Sequence, residues 1–244
     1  MVNLEVIPRK KEFNALLELY PPKPANKFLP DWYKKQKVLK RFDIYNTNYT
    51  LDAKRCPAIV QELTTGIVIP SWSDFYIWKN KKGVFWECLL GDFNGDLNNF
   101  TWIESQSEKQ ITGMGLNSIA NFGIFKLISP YYFKTTKGYG LKFKDPFYHH
   151  RNDVRLLPGY VETDIWYETN FPFEFLTNID KIDEFKIMIK AGDPLLIIEP
   201  YSKNLEINLK LNNYDEQFYK DQKKNSILLN SLSEDWNRYK NTVK

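Results

Sequence analysis

Apolar and polar residues alternate through the later half of the chain. Leu141 and Phe143 interleave with Lys142 and Lys144, while Phe171, Phe173 and Phe175 recur at every second position. Phe185, Ile187 and Ile189 do the same, and Leu205, Ile207, Leu209 and Leu211 alternate with Glu206, Asn208 and Lys210. A period of two puts each set on one face of a strand. Upstream, Gly66 to Pro70 and Asp74 to Trp78 read as short strands joined through Pro-Ser-Trp-Ser, and Gly83 to Leu90 is a further apolar run. Strands of this kind, punctuated by Pro, Gly, Asn and Asp, predict a mainly β fold, an antiparallel sandwich or barrel. Gly192 offers positive φ for a tight hairpin reversal, within which Asp193 can bond backbone amides.

The two ends read differently. Residues 1–50 form an irregular or helical arm in which apolar and charged residues alternate from Met1 to Lys11. Phe13, Leu16, Leu17 and Tyr20 then take helical spacing that Pro21 and Pro22 stop. A β core spans 51–212, with 79–138 an insertion or additional strands. From Asp215 neither Gly nor Pro occurs, and Phe218, Ile227, Leu228, Leu232, Trp236 and Tyr239 sit among polar residues. This is a C-terminal helix over 213–244, or two helices parted near Asn225-Ser226.

With 244 residues the chain can bury a sizeable core without metal or disulfide. A net charge of +4, scattered along the chain, argues against nucleic acid as a partner. Lys34-Lys35-Gln36-Lys37 and Lys79 to Lys82 are too short for a basic stripe. The two cysteines, Cys56 and Cys88, form no C-x-x-C and read as buried small hydrophobes in a reducing cytoplasm. No apolar run approaches a membrane span or a signal peptide.

Motifs that carry chemistry are sparse. Gly91-Asp92-Phe93-Asn94-Gly95-Asp96 lacks the register of a calcium loop and reads as a turn. Gly113-Met114-Gly115 and Gly138-Tyr139-Gly140 lack the Lys-Ser/Thr of a phosphate cradle and are also turns. No Gly-x-Ser-x-Gly marks a nucleophile. His149 and His150 are adjacent, and neighbouring strand residues face opposite ways, so no metal site is expected there. An enzyme would gather His149, His150, Asp153, Glu162 and Asp164 as acid, base or magnesium ligands, with Arg151 and Arg155 countering ligand charge. The competing expectation is a solvated loop with ordinary salt bridges.

The stretch from Leu157 to Tyr201 contains Pro158-Gly159-Tyr160-Val161-Glu162-Thr163-Asp164 and, about thirty residues on, Ala191-Gly192-Asp193-Pro194 before an apolar strand. This order resembles the dUTPase and dCTP deaminase superfamily, whose fold is the β-clip. Gly159, Val161, Asp164, Gly192 and Asp193 fall on matching positions, and Thr65 to Pro70 resembles an early strand of that fold. The departures are at functional positions. Glu162 replaces the family's water-orienting Asp, Ile165 replaces the Tyr that stacks on deoxyribose, and Ile197 replaces a Gln. No Arg-Ser-Gly segment and no glycine-rich arm carrying a phosphate-gripping Arg follow, so triphosphate chemistry lacks its cationic donors. The resemblance therefore implies a fold without dUTPase activity.

A second resemblance, to an uncharacterised tailed-phage protein family with bacterial relatives, is carried by four segments. They are Phe28 to Lys34, Lys54-Arg55-Cys56-Pro57, Thr64 to Pro70 and Asn170-Phe171-Pro172-Phe173. Together the two imply a viral, non-catalytic binding or assembly protein on a dUTPase-like β-clip core. It would act without cofactor, in the cytoplasm of an infected cell or in the virion. Its partner would be another protein or copies of itself, with a trimer favoured by the β-clip resemblance. Two alternatives remain beside it. One is a divergent enzyme on nucleotides or another small ligand, for which magnesium would be the cofactor. The other is a carbohydrate- or surface-binding module built on the chain's seven Trp and fifteen Tyr.

Overall fold

The structure is a computed structural model describing residues 2–36, 53–54, 56–90, 100–105, 124–176 and 183–232, the last eight by backbone only. The chain divides into two compact units: Met1–Pro30 with Leu63–Asn204, and Asp31–Glu62 with Leu205–Lys244.

The larger unit is mainly β, and among its described residues the strand pairings are antiparallel. The first sheet is built on β7 (Ile124–Thr135), flanked on one side by β11 (Glu168–Phe175) and on the other by β1 (Leu4–Pro8) and β6 (Ile103–Ser105); β9 (Val154–Leu156) adds to β11. The second runs β10 (Gly159–Val161), β8 (Tyr139–Lys144), β13 (Pro194–Ser202), β3 (Ile67–Pro70), β2 (Lys23–Pro24). The third is β12 (Phe185–Ile189), β4 (Phe75–Asn80), β5 (Gly83–Cys88). From β7 to β11 the chain alternates between the first two sheets, so successive strands face one another across a shared core instead of pairing edge to edge. No barrel closes among the described residues.

The alternation places the core. Phe171, Phe173 and Phe175 turn one face of β11 inward, where the Phe173 ring stacks on Phe125 at 5.5 Å and Phe171 meets Phe133 and Phe143 from the two sheets. Offset and edge-to-face ring pairs of this kind add to plain area burial. Trp72, fully buried, packs edge-on against Phe75 and Tyr131.

Three sequence expectations need correction. Gly192 does adopt φ +84°, but the strands on either side of it, β12 and β13, lie in different sheets and do not form a hairpin. The segments β3–β4 and β12–β13 instead run side by side as one two-stranded ribbon bent at Ser71–Asp74. Pro70 faces Pro194, Ser71 N–H donates to Asp193 O and Gly192 N–H to Ser71 O (both 2.8 Å), and Phe75 faces Ile189. Second, Leu205 to Leu211 is not a strand, because no described segment pairs with it. Third, Leu4–Pro8 within the arm is a strand of the first sheet, paired with Tyr131 to Thr135. The turn expected over Gly91 to Asp96 and the one at Gly113-Met114-Gly115 lie outside the described residues, as do Trp236 and Tyr239.

Among the described residues of the smaller unit the regular elements are helices. Asp31–Lys35 is one turn and a half, with Lys54 Nζ 5.7 Å above the Tyr33 ring. Pro57–Thr64 is a helix that crosses the boundary between the units and has no counterpart among the sequence expectations. Glu216–Leu232 continues through Asn225-Ser226 without a break. Asp215 caps it, its Oδ1 accepting Phe218 N–H at 3.0 Å. Among the described residues no helix is long and apolar enough to cross a membrane.

Candidate functional site

The candidate residues separate into two groups at opposite ends of β11. Glu162 and Asp164 lie in the reversal that leads into this strand, whereas the Asp153 carbonyl accepts Leu176 N–H just past its other end. Eight residues of strand, at roughly 3.3 Å each, put about 25 Å between the groups. They cannot act on one small substrate together.

In the first group Lys203, which immediately follows β13, donates to Glu162 Oε2 at 2.7 Å and Asp164 Oδ1 at 3.1 Å. Asp164 Oδ2 accepts Gly138 N–H at 2.8 Å, and Lys203 N–H returns to Gly138 O at 2.9 Å. The Asp164 side chain is only 4% exposed. The Gly138 amide, helped by the Lys203 ammonium, holds its carboxyl below the usual carboxylate range, while the hydrogen bond to Glu162 is the first cause raising Lys203. Next door, Thr163 is fully buried, its hydroxyl 2.9 Å from that of Thr135, which itself donates to Tyr139 O at 2.7 Å. These bonds join the β7–β8, β10–β11 and post-β13 reversals. A carboxylate so engaged is a poor general base, and the group works as a clasp. Lys203, 39 residues from Asp164, carries no local sequence signal that would have revealed this partnership.

In the second group Arg151 grips Asp153 with two bonds, Nε to Oδ1 at 2.9 Å and Nη2 to Oδ2 at 2.7 Å, and Nη2 also reaches Met188 O at 3.2 Å. Asp153 Oδ1 accepts Val154 N–H at 2.8 Å. Arg155 and Glu174 face each other across β9 and β11, with Arg155 Nε 2.8 Å from a buried Glu174 carboxylate. Asp145 accepts Leu156 N–H at 3.0 Å, and burial pushes its carboxyl up. His149 ends a short 3-10 turn, Phe147–His149, and His150 follows in the left-handed region at φ 54°. Among the described residues no group of three or more His, Cys, Asp or Glu is arranged to hold a metal ion. Burial also raises the Cys88 thiol, which keeps it protonated at neutral pH.

No protein-family model, curated protein or solved structure matches this chain.

Two surface features that the candidate residues do not include stand out chemically. The β10–β11 reversal exposes Ile165, Trp166 and Tyr167, with Trp166 63% exposed, and Tyr160 projects beside it over Tyr201. In the smaller unit Leu205, Ile207, Leu209 and Leu211 are all exposed, Ile207 at 85% and Leu211 at 90%. The period-two pattern marks these aliphatics, but as one face of a core strand.

Proposed function

We propose that this protein is a non-catalytic binding and assembly protein that works as a homo-oligomer, its β core being of the β-clip type. The observation that carries the reading is the Leu205–Leu211 segment. It has the alternation of a strand, no strand partner among the described residues, and four aliphatic side chains in solvent. Burying an aliphatic side chain is worth about 1.5–3 kcal/mol, so such a segment gains most by pairing between chains. The ring-bearing β10–β11 reversal is a second apolar surface that a neighbouring copy would cover. Copies contacting through unlike surfaces close into rings, and a trimer is the smallest of these that the β-clip reading favours. The clasp chemistry of Glu162 and Asp164 supports a structural role at the positions where a dUTPase-like site would sit.

Light scattering at micromolar concentration tests the proposal. The expected mass is a multiple of the 29.0 kDa chain, with three copies favoured. Ile207→Asp with Leu209→Asp is expected to yield monomers with an unchanged β signal in circular dichroism. A wild-type monomer overturns the reading. Stabilisation by nucleotide with magnesium would favour the enzyme alternative instead.

A further inference from the structure

We propose, independently of the assembly reading, that the outer face of the β12–β4–β5 sheet is a binding groove for a neutral oligosaccharide. The register of the sheet places its side chains. Phe75, Ile77, Ile187 and Ile189 point into the core and are at most 8% exposed. The alternate positions point the other way, with Tyr76 between Met188 and Glu87, and Trp78 between Lys186 and Phe85. An outward face of an antiparallel sheet is ordinarily polar. This one carries three rings, Phe85 being 38% exposed and Tyr76 and Trp78 partly so. Tyr76 and Trp78 line a groove of about 780 Å³, a volume within the range of small-ligand sites and larger than a single sugar ring needs.

The walls name the ligand by what they combine. Trp78 and Phe85 are nearly parallel, with 21° between their planes, but their centroids are 5.9 Å apart. At that separation the rings are displaced sideways and neither covers the other's face. A π face is negative, and the C–H groups of a sugar ring, made positive by neighbouring oxygens, pack against such a face. Around the rings the groove is polar in both signs. Lys79 and Lys186 stand against Glu87 and Glu184, a balance that gives neither a phosphate chain nor a polycation an advantage. Among the described residues Glu87, Glu184 and Lys186 enter no ion pair, and Lys186 Nζ rests 5.1 Å from the Tyr76 ring centroid. Asn80 Oδ1 accepts Lys82 N–H at 2.8 Å, which leaves its NH2 group to donate. Carboxylates that accept, an amide and an ammonium that donate, and rings between them match a ligand whose hydroxyls alternate with C–H faces.

Cellohexaose, chitohexaose and maltohexaose, each titrated into the full-length protein up to low-millimolar concentration, test the groove, with oligothymidylate as the anionic control. At least one of the three glycans is expected to bind by calorimetry. It should also move one indole N–H resonance in the 1H–15N NMR spectrum, the one missing from Trp78→Ala. That glycan is expected to bind at least about tenfold more weakly to Trp78→Ala, and about tenfold more weakly to Glu87→Ala, at an exposed position. Oligothymidylate is expected not to bind, and both variants should keep the wild-type mass in light scattering. The proposal is overturned if none of the three glycans binds, if either variant binds as tightly as wild type, or if oligothymidylate binds as tightly as the glycan. A changed mass for Trp78→Ala would make this face a protein interface and overturn it equally. Should Trp78→Ala not fold, the wild-type indole shift and Glu87→Ala still decide.

Discussion

Asp164 and Gly138, 26 residues apart, are joined by a 2.8 Å hydrogen bond from the Gly138 amide to the Asp164 carboxylate. Through it the β7–β8 and β10–β11 reversals are fixed to each other, and Lys203 closes the same knot from the end of β13. Asp164 and Lys203 each bring to this clasp a charge that pH can remove.

Its pH dependence follows from the directions of the two shifts. Asp164 is held below the usual carboxylate range, so its contribution is fully present above an unfolded value of about 4 and fades as pH falls through the lower folded value. Lys203 is raised, so its contribution is complete below about 10.4 and fades as pH rises through the higher folded value. Thermal denaturation across this range should show loss at both extremes. Asp164→Asn should melt below wild type at pH 7, with the gap narrowing as pH drops below 4. Curves that stay parallel down to pH 3 would remove Asp164 from the clasp.

The threonine pair beneath the clasp should show an ordered response. Thr135 donates to Tyr139 O, so its oxygen accepts from Thr163. Thr163→Val removes one donor and is expected to cost about 1 kcal/mol, whereas Thr135→Val strands both the Tyr139 carbonyl and the Thr163 hydroxyl and should cost about 2–3 kcal/mol. Urea denaturation of the two variants decides it, and the reverse order would contradict the donor assignment.

Glycine at 140 is required by close approach. A Cβ there would sit 2.5 Å from the Tyr201 ring and 2.6 Å from Val161 O. Gly140→Ala is expected to cost about 1–3 kcal/mol, and for a chain of this size each kilocalorie lowers the melting temperature by about 2–4 °C. Adding Tyr201→Ala should restore only part of the loss, since the Val161 carbonyl belongs to the paired strand β10 and cannot withdraw. Gly140→Ala melting at the wild-type temperature would contradict the packing at this position.

How much of this could be read from the chain depends on what a period of two encodes. It encodes a face, not a partner. Phe171, Phe173 and Phe175 are therefore legible as one buried face, and β12 as a strand, but the division of β12 and β13 between two sheets is not. Leu205 to Leu211 shows the limit of the same signal, since its alternation equals that of β11 while its partner is missing from the described residues. The site is less legible still. Glu162 and Asp164 stand out as acidic residues in a turn pattern, but what decides their chemistry is Lys203 and the Gly138 amide, brought in from distant reversals. Trp72 in Pro-Ser-Trp-Ser-Asp reads as a turn residue, and only the bend of the ribbon makes it a buried wall.

Tyr131 supplies the last test. Its ring is 1% exposed, packed edge-on at 6.3 Å from Trp72, and its hydroxyl has no hydrogen-bond partner among the described residues. Burial drives its phenol far above the ordinary range, so it is protonated at neutral pH. A hydroxyl that is buried and unpaired costs more than it returns, whereas a phenyl ring keeps the same contacts. Tyr131→Phe is therefore expected to be neutral or stabilising by up to about 1 kcal/mol, measured as the urea midpoint with an unchanged slope. A loss of about 1 kcal/mol or more would mean that the hydroxyl is solvated inside the core. The wild-type protein and the Tyr131→Phe variant should then differ in a slowly exchanging water detected by NMR, held at the bend beside Trp72.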